Sequence, residues 1–196
     1  YRICGTGMGA VASLLKDEGL HIEGGDINFY PPMDSYLRSR DIPLLDLNNI
    51  TDEKLKDFDL IIVGNVVPRN SIDARKIESL GVPFCSFPNA LGAFVLRNYT
   101  VVGVAGTHGK TTTTFLLTQL FERLGERPGY FIGGVLPNKR PCSRVGKKYF
   151  FIESDEYDCA YFEKISKFRN YMIDNLIITS LEFDHADIFD SIDDIL

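Results

Sequence analysis

The run Gly106-Thr107-His108-Gly109-Lys110-Thr111-Thr112 follows directly on the apolar residues Val101, Val102, Val104 and Ala105 and leads directly into a helix-like stretch over 110–124. Strand, glycine-rich turn and helix in that order constrain the chain more than any other feature, because they fit the edge of an α/β sheet. Glycines at such a turn let successive backbone N–H groups curl round an anion, at a helix N-terminus whose dipole also favours negative charge. Lys110 is placed to neutralise terminal phosphates, and the Thr111 hydroxyl falls where loops of this kind hold Mg²⁺. The full pattern G-x-x-x-x-G-K-[ST] asks for glycine at 104, where this chain has Val104. The loop is therefore a variant whose first glycine is Gly106. The bland alternative is a glycine-rich turn with an incidental lysine; the Gly-Lys-Thr-Thr run and both flanks speak against it.

A second turn of the same kind lies near the start. Gly5-Thr6-Gly7-Met8-Gly9-Ala10 satisfies G-x-G-x-x-[GA], and Asp26 follows 21 residues after Gly5, at the end of the next strand-like run. An acidic group there can bond a ribose hydroxyl. Alone, the pattern fits a nucleotide or a tightly packed turn, and it does not say which nucleotide.

Carboxylates cluster twice. Glu153-Ser154-Asp155-Glu156-Tyr157-Asp158 follows a strand-like run over 149–152, and Leu181-Glu182-Phe183-Asp184-His185-Ala186-Asp187 follows another over 176–179. If both strands neighbour the one ending at Ala105, both clusters face the phosphate loop, where hard oxygens suit Mg²⁺. A solvated acidic loop is the alternative for either cluster taken alone. Of the three histidines, His21 opens a strand, His108 lies inside the phosphate loop, and His185, flanked by Asp184 and Asp187, is the candidate metal ligand.

The rest of the chain reads as α/β. Strand-like runs at 2–4, 21–24, 60–63 and 84–86 alternate with helices whose apolar faces include Met8, Val11, Ala12, Leu14 and Leu15, then 33–38 and 73–80. Such alternation predicts a parallel sheet covered on both faces. A second series begins at Thr100, with Phe115, Leu116, Leu120, Phe121 and Leu124 expected inward on its long helix, and residues 133–148 read as an exposed loop or hairpin region. We expect a Rossmann-like domain over 1–98 and the first part of a P-loop-type α/β domain over 99–196, the helix opening at Ser191 being cut short in a fragment of a longer protein.

Composition sets limits. With 21 Lys+Arg against 27 Asp+Glu, a net charge of −6, the chain is no nucleic-acid binder working through bulk charge. No apolar run approaches the roughly 20 residues of a membrane span. Cys4, Cys85, Cys142 and Cys159 show no C-x-x-C spacing and read as structural thiols. A cytoplasmic protein is the expectation; nothing sets an oligomeric state.

A Gly-Thr-His-Gly-Lys-Thr-Thr-Thr loop preceded by a separate Gly-Thr-Gly-Met-Gly domain resembles the Mur ligase family of peptidoglycan enzymes. His108 at the loop's third position resembles the branch acting directly on UDP-N-acetylmuramate. The stretches Asn28-Phe29-Tyr30-Pro31-Pro32-Met33, Gly64-Asn65-Val66-Val67-Pro68-Arg69-Asn70, Asp155-Glu156-Tyr157-Asp158 and the segment from Leu181 through Ile188 and Phe189 are similar to members that attach the peptide L-alanyl-γ-D-glutamyl-meso-diaminopimelate, more than to those that attach free L-alanine. The resemblance implies ATP-driven amide formation through an acyl phosphate. It further implies that Gly106, Thr107, His108, Gly109, Lys110, Thr111 and Thr112 bind ATP phosphates, that Thr111, Glu153 and His185 hold Mg²⁺, and that Lys110, Glu153 and His185 are catalytic. Gly5, Thr6, Gly7, Met8, Gly9, Asp26 and Asn65 would hold the UDP-sugar. Family members are more than twice this length, so the fragment alone is expected to be inactive. A non-catalytic module binding a dinucleotide is the alternative from another class.

Overall fold

The computed structural model describes residues 1–133 and 141–182, and the chain divides into two compact units, one of Tyr1–Val95 with Asp158–Ile165 and the other of Leu96–Tyr157 with Ser166–Leu196. The expected boundary near residue 98 thus falls close to the first crossing, but residues 158–165 belong with the first unit.

In the first unit the elements alternate: α1 (Thr6–Asp17), β1 (Gly24–Asp26), α2 (Met33–Ser39), β2 (Leu44–Asp46), α3 (Asp52–Lys56), β3 (Ile61–Val63), α4 (Ile72–Ser79), β4 (Phe84–Ser86) and α5 (Phe87–Phe94). β1 pairs in parallel with β2, and β3 with β4. The expected strand over 2–4 is not one. Arg2 has φ 68°, which breaks the extended run. The segment nevertheless links the two pairs: the N–H groups of Arg2 and Ile3 donate to Gly25 O at 2.8 and 3.0 Å, the Tyr1 amino group donates to Ile62 O at 2.7 Å, and Gly64 N–H donates to Tyr1 O at 3.0 Å. The strand expected at 21–24 starts only at Gly24.

Helix starts follow from capping. Side-chain oxygens of Thr51, Ser71 and Ser86 accept from the N–H groups of Lys54, Ala74 and Asn89, satisfying donors the helix cannot. The predicted face of α1 is the real one, with Met8, Val11, Ala12, Leu14 and Leu15 all buried. Tyr161 joins the core formed by Leu55, Ile61, Val63 and Ile77, which is why residues 158–165 belong to this unit.

The second unit is built on one sheet in the order β11-β5-β8-β6-β7, of β5 (Thr100–Ala105), β6 (Gly129–Phe131), β7 (Ser143–Arg144), β8 (Tyr149–Glu153) and β11 (Asn175–Ile178). All neighbours are parallel except β7 against β6. Two short strands that lie in the first unit but for Ser166, β9 (Asp158–Ala160) and β10 (Glu163–Ser166), pair with each other. α6 (Lys110–Arg123) follows β5.

The facing of α6 departs from expectation. Phe115, Leu117 and Phe121 pack toward Tyr130, Ile132 and Phe151, but Leu116, Leu120 and Leu124 are 58%, 51% and 69% exposed. The buried positions are Thr114 and Thr118, whose hydroxyls donate to the carbonyls of Lys110 and Thr114 at 2.8 and 2.9 Å. Each threonine meets its own polar need within the helix, so a small side chain sits inward and the leucines turn out. No helix among the described residues is long and apolar enough to cross a membrane.

Candidate functional site

β5 lies between β8 and β11, with Val104 opposite Glu153 and Ala105 opposite Ile178, so the segments leaving all three strands emerge at one sheet edge. Parallel sheets assemble binding sites at that edge. Gly106 and Gly109 both have positive φ, 126° and 86°. A Cβ on Gly106 would come within 2.7 Å of Ser180 O, so only glycine fits.

Lys110 opens α6, and its ammonium donates to Gly106 O at 2.6 Å while lying 3.6 Å from Glu156 Oε1. The Thr111 hydroxyl donates to Glu153 Oε2 at 3.1 Å, and Gly133 N–H donates to Glu153 Oε1 at 2.8 Å. Burial pushes the Glu153 carboxyl above its ordinary pKa, while those two hydrogen bonds and the Lys110 charge pull the other way.

The first carboxylate cluster spreads out along the chain. Glu153 faces the loop, Asp155 pairs with Lys167 at 2.9 Å, Glu156 faces Lys110, and Asp158 pairs with Lys164 at 2.6 Å. Among the described residues no group of three or more His, Cys, Asp or Glu side chains could hold a metal. From the second cluster Leu181 and Glu182 are described; Asp184, His185 and Asp187 lie outside the described residues. Thr107 and His108 direct their N–H groups to Ser180, at 3.0 Å each, which leaves the amides from Gly109 onward at the helix start. The sequence places Glu156 in the carboxylate cluster without a role of its own, and gives no sign of Thr179 and Ser180, since threonine and serine after a strand carry no distinctive signal.

In the first unit, the turn over 5–9 opens α1, with Gly5 at its N-cap. Gly5 and Thr6 are exposed and Gly7 half-buried, whereas Met8 is buried and Gly9 lies so close to α2 that a Cβ would meet the Met33 sulfur at 2.3 Å. Asp26 accepts from Cys4 N–H and Ile27 N–H at 2.8 Å each and pairs with Arg2 at 3.4 Å. Its carboxylate therefore props the turn. Asn65 is exposed just past β3. The cysteines are free, and burial pushes the thiols of Cys4 and Cys85 up to about 11, leaving them unreactive at neutral pH.

A parallel α/β unit with a glycine turn opening its first helix, joined to a unit with a glycine-rich loop between a parallel strand and a helix, defines a two-unit α/β protein. Family models make the assignment definite: residues 1–99 match the Mur ligase family, catalytic domain, and residues 104–196 match the Mur ligase middle domain. The chain belongs to the Mur ligase family. It is 44% identical over 191 residues to the UDP-N-acetylmuramate--L-alanyl-gamma-D-glutamyl-meso-2,6-diaminoheptandioate ligase of Escherichia coli (strain K12), covering 97% of this chain and 42% of that protein. It is 31% identical over 193 residues to the UDP-N-acetylmuramate--L-alanine ligase of Leuconostoc citreum (strain KM20), covering 98% of this chain and 40% of that one. The crystal structure of the UDP-N-acetylmuramate:L-alanyl-gamma-D-glutamyl-meso-diaminopimelate ligase from Neisseria meningitides superposes with a TM-score of 0.87 at 38% identity, over 97% of this chain and 62% of that one. The chain thus spans about 42% of the length of the curated murein peptide ligases it matches.

Proposed function

We propose that this chain is the UDP-sugar and ATP-phosphate part of an ATP-dependent ligase that joins L-alanyl-γ-D-glutamyl-meso-diaminopimelate to UDP-N-acetylmuramate. The observation that carries the reading is the 44% identity, across 97% of the chain, to a relative named for that reaction, against 31% to a relative named for L-alanine.

The chemistry required is the meeting of two anions, a carboxylate and the γ-phosphate of ATP, to give an acyl phosphate that the peptide amine then attacks. Such a reaction is governed by charge neutralisation and positioning. Lys110 supplies the positive charge at the loop, and the amides from Gly109 to Thr112 face the phosphates at the start of α6. Thr111 and Glu153 present two hard oxygens 3.1 Å apart, a donor set that fits Mg²⁺, which takes few protein ligands and the rest from phosphate and water. Bound there, Mg²⁺ would offset the negative charge shared between phosphate and carboxylate. His185 remains the further metal ligand implied by the family resemblance. Gly5, Thr6, Gly7 and Asn65 line the accessible sheet edge of the first unit for the UDP-sugar, with Met8 and Gly9 packing behind them and Asp26 holding the turn.

The test is phosphate release by a longer protein carrying this chain. Release that needs ATP, UDP-N-acetylmuramate and the tripeptide together is expected; release with L-alanine replacing the tripeptide would favour the other relative's reaction. The 196 residues alone are expected to release none, since they span less than half of the relatives.

A further inference from the structure

Residues 179–182, just past β11, are laced to the phosphate loop atom by atom. Thr179 N–H donates to Ala105 O at 3.0 Å, and the Thr179 hydroxyl reaches the carbonyls of Ala105 and His108. Ser180 O accepts from Thr107 N–H at 3.0 Å, and Ser180 Oγ accepts from His108 N–H at 3.0 Å. Glu182 N–H donates to Thr107 Oγ1 at 3.0 Å, and that hydroxyl lies 3.1 Å from Glu182 O. Gly106 is sealed against the same segment, since any Cβ there would lie 2.4 Å from Thr179 Oγ1.

The loop's amides are thereby divided. Those of Thr107 and His108 are consumed by Ser180, while the donors from Gly109 into the first turn of α6 have no acceptor within the helix. A loop containing two positive-φ glycines is otherwise free to sample many conformations, and ordering it only when a ligand arrives would weaken binding. We infer that residues 179–182 form a clasp that fixes the phosphate loop in its receiving conformation, with Ser180 the positioning residue at His108. The inference rests on the nucleotide reading of the loop.

The experiment uses the 196-residue chain as it is. Amide hydrogen exchange at Thr107 and His108, the melting temperature, and the Kd for Mg²⁺-ATP and for inorganic tripolyphosphate are compared among the parent, Ser180→Ala, Ser180→Thr and Lys110→Ala. Ser180→Ala is expected to speed exchange at His108 and to weaken both ligands about tenfold with little change in melting temperature, and Ser180→Thr, which keeps the hydroxyl, to restore both. Unchanged His108 exchange in Ser180→Ala overturns the clasp. Faster exchange with unchanged affinity overturns its positioning role, while loss of binding in Lys110→Ala alone leaves the nucleotide reading intact. A folded parent that binds neither ligand overturns that reading and the positioning role with it, the exchange comparison then deciding only whether the clasp exists.

Discussion

The Thr111 hydroxyl donates to Glu153 Oε2 at 3.1 Å, joining the first turn of the helix after the glycine-rich loop to the end of the neighbouring strand β8. The two residues are 42 positions apart in the chain and meet because β5 and β8 are paired in parallel, so both chain segments leave the same sheet edge. The carboxylate is buried enough that its charged form is disfavoured. Removing or pairing that charge therefore favours the folded second unit.

Glu153→Gln keeps the shape of the side chain and an acceptor for Gly133 N–H while removing the charge. A carboxyl whose folded pKa is raised contributes stability that is fully present below the unfolded pKa and is lost as pH rises through the folded one. The variant is therefore expected to melt higher than the parent near pH 8 and close to it at about pH 4, and to lose stabilisation by Mg²⁺-ATP. Thermal melts across pH, with and without the ligand, check this; equal melting temperatures near pH 8 would contradict it.

Lys110→Ala removes a partly buried ammonium bonded to a loop carbonyl, with Glu156 nearby. One hydrogen bond and one long ion pair set the loss of stability at no more than about 1.5 kcal/mol. Binding of ATP is expected to fall below detection. Calorimetric titration beside a chemical melt separates the two effects, and a loss of fold would refute the assignment of Lys110 as a ligand-facing group.

The hydroxyl of Ser154 is buried at 1% exposure with no hydrogen-bond partner among the described residues. Ser154→Ala removes an unsatisfied polar atom at the cost of little volume, so it is expected to stabilise the second unit by about 1 kcal/mol. Urea denaturation reads this directly. A destabilisation of similar size would mean the hydroxyl has a partner after all.

Much of the architecture was legible because its signals are local. The strand ending at Ala105, the glycine turn and the helix start at Lys110 lie where the pattern puts them, as do β4, β8 and the buried face of α1. What failed needed tertiary context. The leucines of α6 were expected inward on the rule that apolar residues face the core, and the rule gave way because Thr114 and Thr118 satisfy their hydroxyls inside the helix. Strand β2 and helix α3 are short, with few residues to build a period. Of the candidate site, Lys110, Thr111 and Glu153 lie together at one sheet edge, Asp26 accepts from Cys4 N–H beside the glycine turn, and Ser180 is invisible in sequence because its contacts are made by β11 lying beside β5.

The corrected facing of α6 is itself testable. Leu120→Gln, at a half-exposed position, is expected to change stability by less than about 0.5 kcal/mol and to reduce self-association. Phe121→Ala, which removes ring contacts to Tyr149 and Phe151, is expected to cost about 2 to 3 kcal/mol. Denaturation midpoints with sedimentation at several concentrations give both numbers, and a reversed order of the two costs would restore the original expectation.

Calorimetric titration of the 196-residue chain with UDP-N-acetylmuramate, with NAD as comparator, reads whether the first unit takes a UDP-sugar. Saturable binding of the UDP-sugar, weakened when Gly7 is replaced by Val, with no heat from NAD, is the predicted result. Selective binding of NAD would contradict the account and favour a dinucleotide-binding module.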